Sequence, residues 1–94
     1  MVPGQSFQGI RLRAGAVRLK AGAAMGWHST RSREELLILL AGRADLEAES
    51  PAHRVRRVTL RAGQCAWLAP RTVHRVVNRS ALAASYLYVT APCG

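Results

Sequence analysis

The sequence predicts an all-β chain folded as one domain, and three observations carry that expectation. Apolar and polar residues alternate with a period of two in five separate places, the pattern of strands with one wet face and one buried face. Eight glycines cut the chain into short segments, the rhythm of strands joined by turns. Ninety-four residues leave room for one hydrophobic core, so the whole of 1–94 is taken as a single domain.

From the N-terminus, the first six residues, with Pro3 and Gly4, read as a loose end. Ile10, Leu12 and Ala14 then alternate with Arg11 and Arg13, and Val17 and Leu19 with Arg18 and Lys20. The stretch 33–49 is rich in Leu, Ala, Glu and Arg, which favour helix by propensity alone. Gly42 in its middle, and the alternation of Ala44, Leu46 and Ala48 with Asp45, Glu47 and Glu49, fit two strands better. These are Glu34–Ala41 and Arg43–Glu49 around a glycine turn. Leu36 to Leu40 is apolar at every position, as in a strand buried on both faces. Ser50-Pro51-Ala52 marks a loop. Val58 and Leu60 alternate with Thr59 and Arg61, and Leu87 and Val89 with Tyr86, Tyr88 and Thr90. Trp27, Trp67, Tyr86 and Tyr88 are expected to pack in the core or to shape a pocket or an interface. Cys65, in an apolar stretch, is expected as a small buried hydrophobe, and Cys93 as a mobile near-terminal residue.

Fourteen basic residues against five acidic ones give a net charge of +9. Such a balance invites polyanions, but the basic residues are scattered and only Arg54, Arg56 and Arg57 cluster, so nucleic acid is not the expected partner. The longest apolar run, Leu36 to Ala41, is far short of the ~20 residues that span a bilayer. No secretory signal pattern is visible at the N-terminus, and the two cysteines form no Cys-x-x-Cys pair. The cytoplasm is the expected location, with no membrane partner.

Two blocks carry the chemistry. His28 lies in Gly26-Trp27-His28-Ser29-Thr30, with Glu35 seven residues later and Gly42 seven after that. His74 lies in Ala69-Pro70-Arg71-Thr72-Val73-His74, opened by Gly63 and followed four residues on by Asn78. These blocks resemble the paired motifs of the cupin superfamily over roughly 17–89. Gly22, five residues, His28, one residue, Thr30, four residues, Glu35, six residues and Gly42 follow the spacing of its first motif. Gly63, five residues, Ala69-Pro70-Arg71, two residues, His74, three residues and Asn78 follow its second. Thr30 stands where the family has a second histidine, Ala69 where it has proline, and Arg71 where it has glycine.

The resemblance implies a jelly-roll barrel of two packed antiparallel sheets and a divalent transition metal (Fe, Mn, Zn or Ni). His28, Glu35 and His74 would hold it, with Thr30 a weak ligand, a hydrogen-bonding neighbour of the ligands, or a relic. It also implies a homodimer, with the terminal strands near Ile10 and Tyr86 as candidate edges. Strand parity supports convergence. His28 and Thr30 share one face, Glu35, Leu37 and Leu39 another, and His74, Val76 and Asn78 a third. If these faces line one interior, the Glu35 carboxylate needs a partner there. That partner is a divalent cation, a proton or a charged histidine. Two imidazoles and a carboxylate match donor sets that hold Fe(II) or catalytic zinc. His53 and Glu34 are expected on the surface, Glu34 paired with Arg31 or Arg33. Two functions of different class follow. One is a small mononuclear metal cupin acting on a small oxygenated substrate. The other is a non-enzymatic cupin with a degenerate metal site, serving as a ligand-binding, sensory or dimerising module.

Overall fold

The computed structural model describes residues 11–93. The described chain contains eight strands and no helix: β1 (Arg13–Leu19), β2 (His28–Ser29), β3 (Arg33–Ala41), β4 (Arg43–Glu49), β5 (Val55–Arg61), β6 (Cys65–Leu68), β7 (Val73–Val77) and β8 (Ala84–Pro92). They form two four-stranded antiparallel sheets, ordered β1-β8-β3-β6 and β2-β7-β4-β5. This is the expected all-β jelly-roll barrel. The helix-prone stretch 33–49 folds as two strands, because alternation and burial outweigh propensity. Gly42 joins them with a left-handed φ of 78°, and a Cβ there would stand 2.6 Å from the Ala83 carbonyl oxygen, so no larger residue fits.

Between the sheets lies one core of Leu19, Leu37, Leu39, Leu46, Leu60, Leu68, Val76 and Tyr86. Every one of these occupies an inward parity of its strand. Asn78, fully buried, closes one end of it. Its Nδ2 donates to the carbonyls of Leu19, Lys20 and Leu82, and its Oδ1 accepts from the Ser80 amide and hydroxyl.

Several expectations change. Ile10 and the first six residues lie outside the described residues, and β1 is one strand with Val17 and Leu19 inward and Ala14 and Ala16 outward. β8 is not an edge: it sits between β1 and β3, and β1 and β6 are the edges of that sheet. Leu36 and Ile38 are only half-buried, because no second layer among the described residues covers the outer face of β3. Cys65 and Trp67 follow the same parity on β6, paired with Ile38 and Leu36, so Cys65 is exposed and Trp67 is 60% exposed rather than core. Trp27 is also exposed, stacked under the Arg75 guanidinium at 4.9 Å. Glu34 forms no ion pair with Arg31 or Arg33; Arg33 instead binds the Thr90 hydroxyl and carbonyl.

The outer face of the β2-β7-β4-β5 sheet has the opposite character. Glu47 points outward from β4 yet is 4% exposed, because Arg57, Arg75 and Arg79 lie over it at 3.2, 2.6 and 3.0 Å. Beside it, Asp45 accepts from the Thr59 hydroxyl at 2.7 Å and from Arg79 at 2.9 Å. The hydrogen bond from Arg75 leads in holding the Glu47 carboxyl below its ordinary range, against burial and with help from Arg79. Burial pulls Asp45 up, but Thr59 and Arg79 outweigh it and the net direction is also down. Both carboxylates therefore bind protons less well folded than unfolded. Their contribution is present above the ordinary carboxylate pKa near 4 and is lost as pH falls through their lower folded values. Acid denaturation is expected to steepen below about pH 4. Glu47→Gln should flatten that limb while lowering stability at pH 7. An unchanged acid limb in a pH series of melts would count against this account.

Candidate metal centre

His28 and His74 face each other across the β2–β7 ladder as a direct register pair. Their ring centroids are 4.2 Å apart with planes inclined by 59°. Glu35 reaches them from β3 in the other sheet, its Oε2 3.5 Å from the His74 Nε2. One ligand atom from each of the three residues lies within 4.8 Å of the others. The structure thus brings together all three residues expected from the sequence. His74 and Glu35 are buried, whereas His28 is open to solvent.

Each imidazole is oriented by the backbone. His28 Nδ1 lies 2.9 Å from the Gly26 carbonyl oxygen, and His74 Nδ1 lies 3.0 Å from that of Thr72. A carbonyl only accepts, so these partners assign the proton to Nδ1 in both rings and leave each Nε2 with a lone pair. The His74 Nε2 is buried and has no hydrogen-bond partner among the described residues. The Glu35 carboxylate beside it is acceptor-only when ionised, and 3.5 Å is long for a hydrogen bond. Two lone-pair donors in contact at a buried position need a cation or a proton between them. Burial by itself lowers the proton affinity of His74, but Glu35 and the Thr72 carbonyl outweigh it, so its pKa is raised.

Thr30 does not join this cluster. Its hydroxyl donates to the Ala69 carbonyl and accepts from the Thr72 amide, both at 3.0 Å. The side chain therefore ties the end of β2 to the turn 69–72, whose Thr72 carbonyl orients His74. Arg71, at the family's glycine position, keeps a left-handed φ of 60° in that turn, and Arg31 supports it by accepting its amide at 2.6 Å. The β8 face that the sequence left unassigned looks inward. Tyr86, Tyr88 and Thr90 line a cavity of about 290 Å³ together with the three candidate ligands and Val17, Met25 and Val76; Val17 is the register partner of Tyr86 in the same sheet. Burial, then the Glu35 charge and Tyr88, push the Tyr86 phenol up to about 12, so it stays protonated. The Tyr88 ring lies against Gly15, where a Cβ would collide with it. Cavity residues such as Met25 and Val17 had no signal beyond parity.

The cupin domain family matches residues 15–90. No curated protein matches the chain. Among solved structures, a Cupin 2 conserved barrel domain protein from Salinispora arenicola is 24% identical with a TM-score of 0.72, over 84% of this chain and 61% of that one. Drosophila melanogaster CENP-C bound to CAL1 is 14% identical with a TM-score of 0.78, over 82% of this chain and 62% of that one. Oxalate oxidase in complex with the substrate analogue glycolate is 13% identical with a TM-score of 0.81, over 86% of this chain and 42% of that one. At these identities the likeness is one of fold. The chain spans less than two-thirds of each of these solved chains.

Proposed function

The chain belongs to the cupin family, and from that premise we propose that it is a small mononuclear metal cupin whose barrel binds, or acts on, a small oxygenated molecule. One observation carries the reading: the orphaned Nε2 of buried His74, aimed at Glu35 and adjacent to a second imidazole held in the same tautomer. Backbone carbonyls that fix the far nitrogen are the usual support of histidine ligands. The donor set fits a first-row divalent ion such as Fe, Mn, Zn or Ni. When bound, such an ion supplies Lewis acidity or, if redox-active, an electron-transfer centre. The chain's own residues do the rest. Thr72 and Gly26 orient the imidazoles, Thr30 holds the turn that carries Thr72, and Tyr86 offers a phenolic proton to whatever lies in the cavity. Val17, Met25 and Val76 supply the apolar part of the cavity lining.

Elemental analysis of untagged protein purified without added metal tests this. The expected result is near-stoichiometric transition metal, lost in His28→Ala with the fold retained. No metal in the native protein, even after reloading with each of the four ions, overturns the reading. No helix among the described residues is long and apolar enough to cross a membrane. Both cysteines are exposed and free, which supports a reducing, cytoplasmic setting.

A second reading, a self-associating module, is favoured by the outer face of the β1-β8-β3-β6 sheet. Leu36 and Ile38 adjoin Val89 and Leu87 there, flanked by Trp67, Ala14 and Ala16. Arg18 is the basic residue of that face among the described strands, although the chain carries +9 overall. Two such chains meet with least repulsion on this side, and an apolar sheet face of this kind suits a second copy. The nucleic-acid partner is disfavoured further, because three arginines of the other sheet are engaged by Glu47. Sedimentation at several concentrations should find the parent dimeric and Ile38→Arg monomeric. A parent that stays monomeric at high concentration overturns the dimer.

A further inference from the structure

Arg43 and Arg61 stand directly opposite each other on the β4–β5 ladder, on the outer face and at the end next to Gly42. Among the described ladders theirs is the only register pair of like charge. Such partners hold their Cβ atoms about 4.5–5.5 Å apart, where like charges destabilise a sheet. Among the described residues neither guanidinium meets a carboxylate, whereas Arg57, Arg75 and Arg79 over the same face all do. The carboxylates of that face are already engaged. Asp45 gives one oxygen to Thr59 and the other to Arg79, and Glu47 binds three arginines. Glu49 lies at the far end of β4 beside His53. The uncompensated charge of this face is therefore concentrated at Arg43 and Arg61. The pair also borders two concavities. One, of about 220 Å³, is lined by Arg43, Ala44, Asp45, Thr59, Arg61 and Arg79. The other, of about 320 Å³, is lined by Arg43 and Arg61 with Gly42, Ser80, Ala81 and Leu82. Asp45 is the one carboxylate in either lining, against three arginines, so an anion here meets net positive charge.

We propose that the Arg43–Arg61 pair binds a phosphate-class dianion, either the free ion or a small monoester. Each guanidinium is a planar fork that can take two oxygens of one anion. A single carboxylate, with one charge, fills one fork. A phosphate monoester brings three acceptor oxygens and about −1.5 to −2 charge at neutral pH, enough for both. The smaller concavity lies below the roughly 300 Å³ of ordinary ligand pockets, so it takes the ion and not a large molecule. The second concavity would take an ester's substituent, against exposed Leu82. A polynucleotide backbone fits less well, because Arg57, Arg75 and Arg79 are held by Asp45 and Glu47 and extend no track of free cations from the pair. The site is separate from the metal centre. The β4 partner of His74 is Ala48, on the order of 16 Å along the strand from Arg43 and on the opposite face.

Calorimetric titration of the native protein with inorganic phosphate, propyl phosphate and succinate tests the proposal, at mildly basic pH and fixed ionic strength. Phosphate should bind saturably, and succinate, which splits the same charge between two carboxylates, about tenfold more weakly. Arg43→Gln and Arg61→Gln should each weaken phosphate about tenfold. In chloride both variants should melt at or above the parent's temperature, because each removes half of a like-charged pair. Propyl phosphate binding tighter than phosphate supports the site and identifies its ligand as the ester; the reverse supports it and identifies the free ion. Equal binding of phosphate and succinate overturns the assignment. So does phosphate binding that is unchanged in both variants, which would place the ion elsewhere, in the barrel for example. A single-stranded oligonucleotide that binds through Arg43 and Arg61 when phosphate does not bind overturns the small-ligand site in favour of a polynucleotide.

Discussion

Replacing His74 with alanine is expected to abolish the stabilisation of the protein by transition metal. His74 is fully buried, supplies the orphaned Nε2, and lies on an interior strand, so nothing nearby can take its place. Losing a group that merely supports a ligand costs metal affinity roughly 10–100-fold. Losing the ligand itself should exceed that. An ion at one hundred times its dissociation constant stabilises the native state by about 2.7 kcal/mol. Melting with and without added ion should therefore show a rise in Tm for the parent and none for His74→Ala. His53→Ala, on the surface, should behave as the parent. A full metal-induced shift in His74→Ala would remove His74 from the centre.

The pH dependence of the same experiment has a definite sign. The raised pKa of His74 means that the metal-free folded state holds its proton more tightly than the unfolded chain does. That contribution is fully present below the ordinary histidine value near 6.5 and is lost as pH rises through the higher folded value. The metal-free protein should thus weaken on passing from mildly acidic to mildly basic solution. The ion, which competes with that proton, should stabilise progressively more over the same range.

Asn78→Ala is the second large effect. The side chain is fully buried and serves three carbonyls, one amide and one hydroxyl at once. Its removal strands groups that cost about 1–3 kcal/mol each when buried without a partner. Lys20 and Leu82 are exposed residues, so water recovers part of this. A net loss of about 3 kcal/mol is expected, which in a domain of this size lowers Tm by roughly 12–24 °C. Asn78→Asp should be no milder, because it turns a donor into an acceptor facing three carbonyl oxygens. A thermal melt of Asn78→Ala within about 3 °C of the parent would contradict this role.

The candidate site was largely legible because its residues are fixed by spacing and parity. His28, Glu35 and His74 stand at the expected positions, and the turn at Gly42 divides 33–49 into the expected strands. What the sequence could not convey was which apolar faces find a covering layer. Leu36, Cys65 and Trp67 look like core by composition, yet among the described residues one side of their sheet has no partner layer. The role of Thr30 was hidden for a different reason. Its partners are the Ala69 carbonyl and the Thr72 amide, and the direction of a backbone group is not written in side-chain identity. Asn78 stood out by its place in the motif, but its work depends on carbonyls some 60 residues away in sequence.

β2 is two residues long, lies at the edge of its sheet and is paired with β7 alone. One donor of the centre, His28, therefore rides on the element that detaches at least cost, while Glu35 and His74 sit on strands held from both sides. The three residues are therefore expected to differ in lifetime. Glu35 and His74 are expected to persist through ordinary fluctuations while His28 opens more readily, so an ion held by the three would be released from His28 first, without global unfolding. Exchange of the amide protons at 28 and 29 then times the opening of the centre.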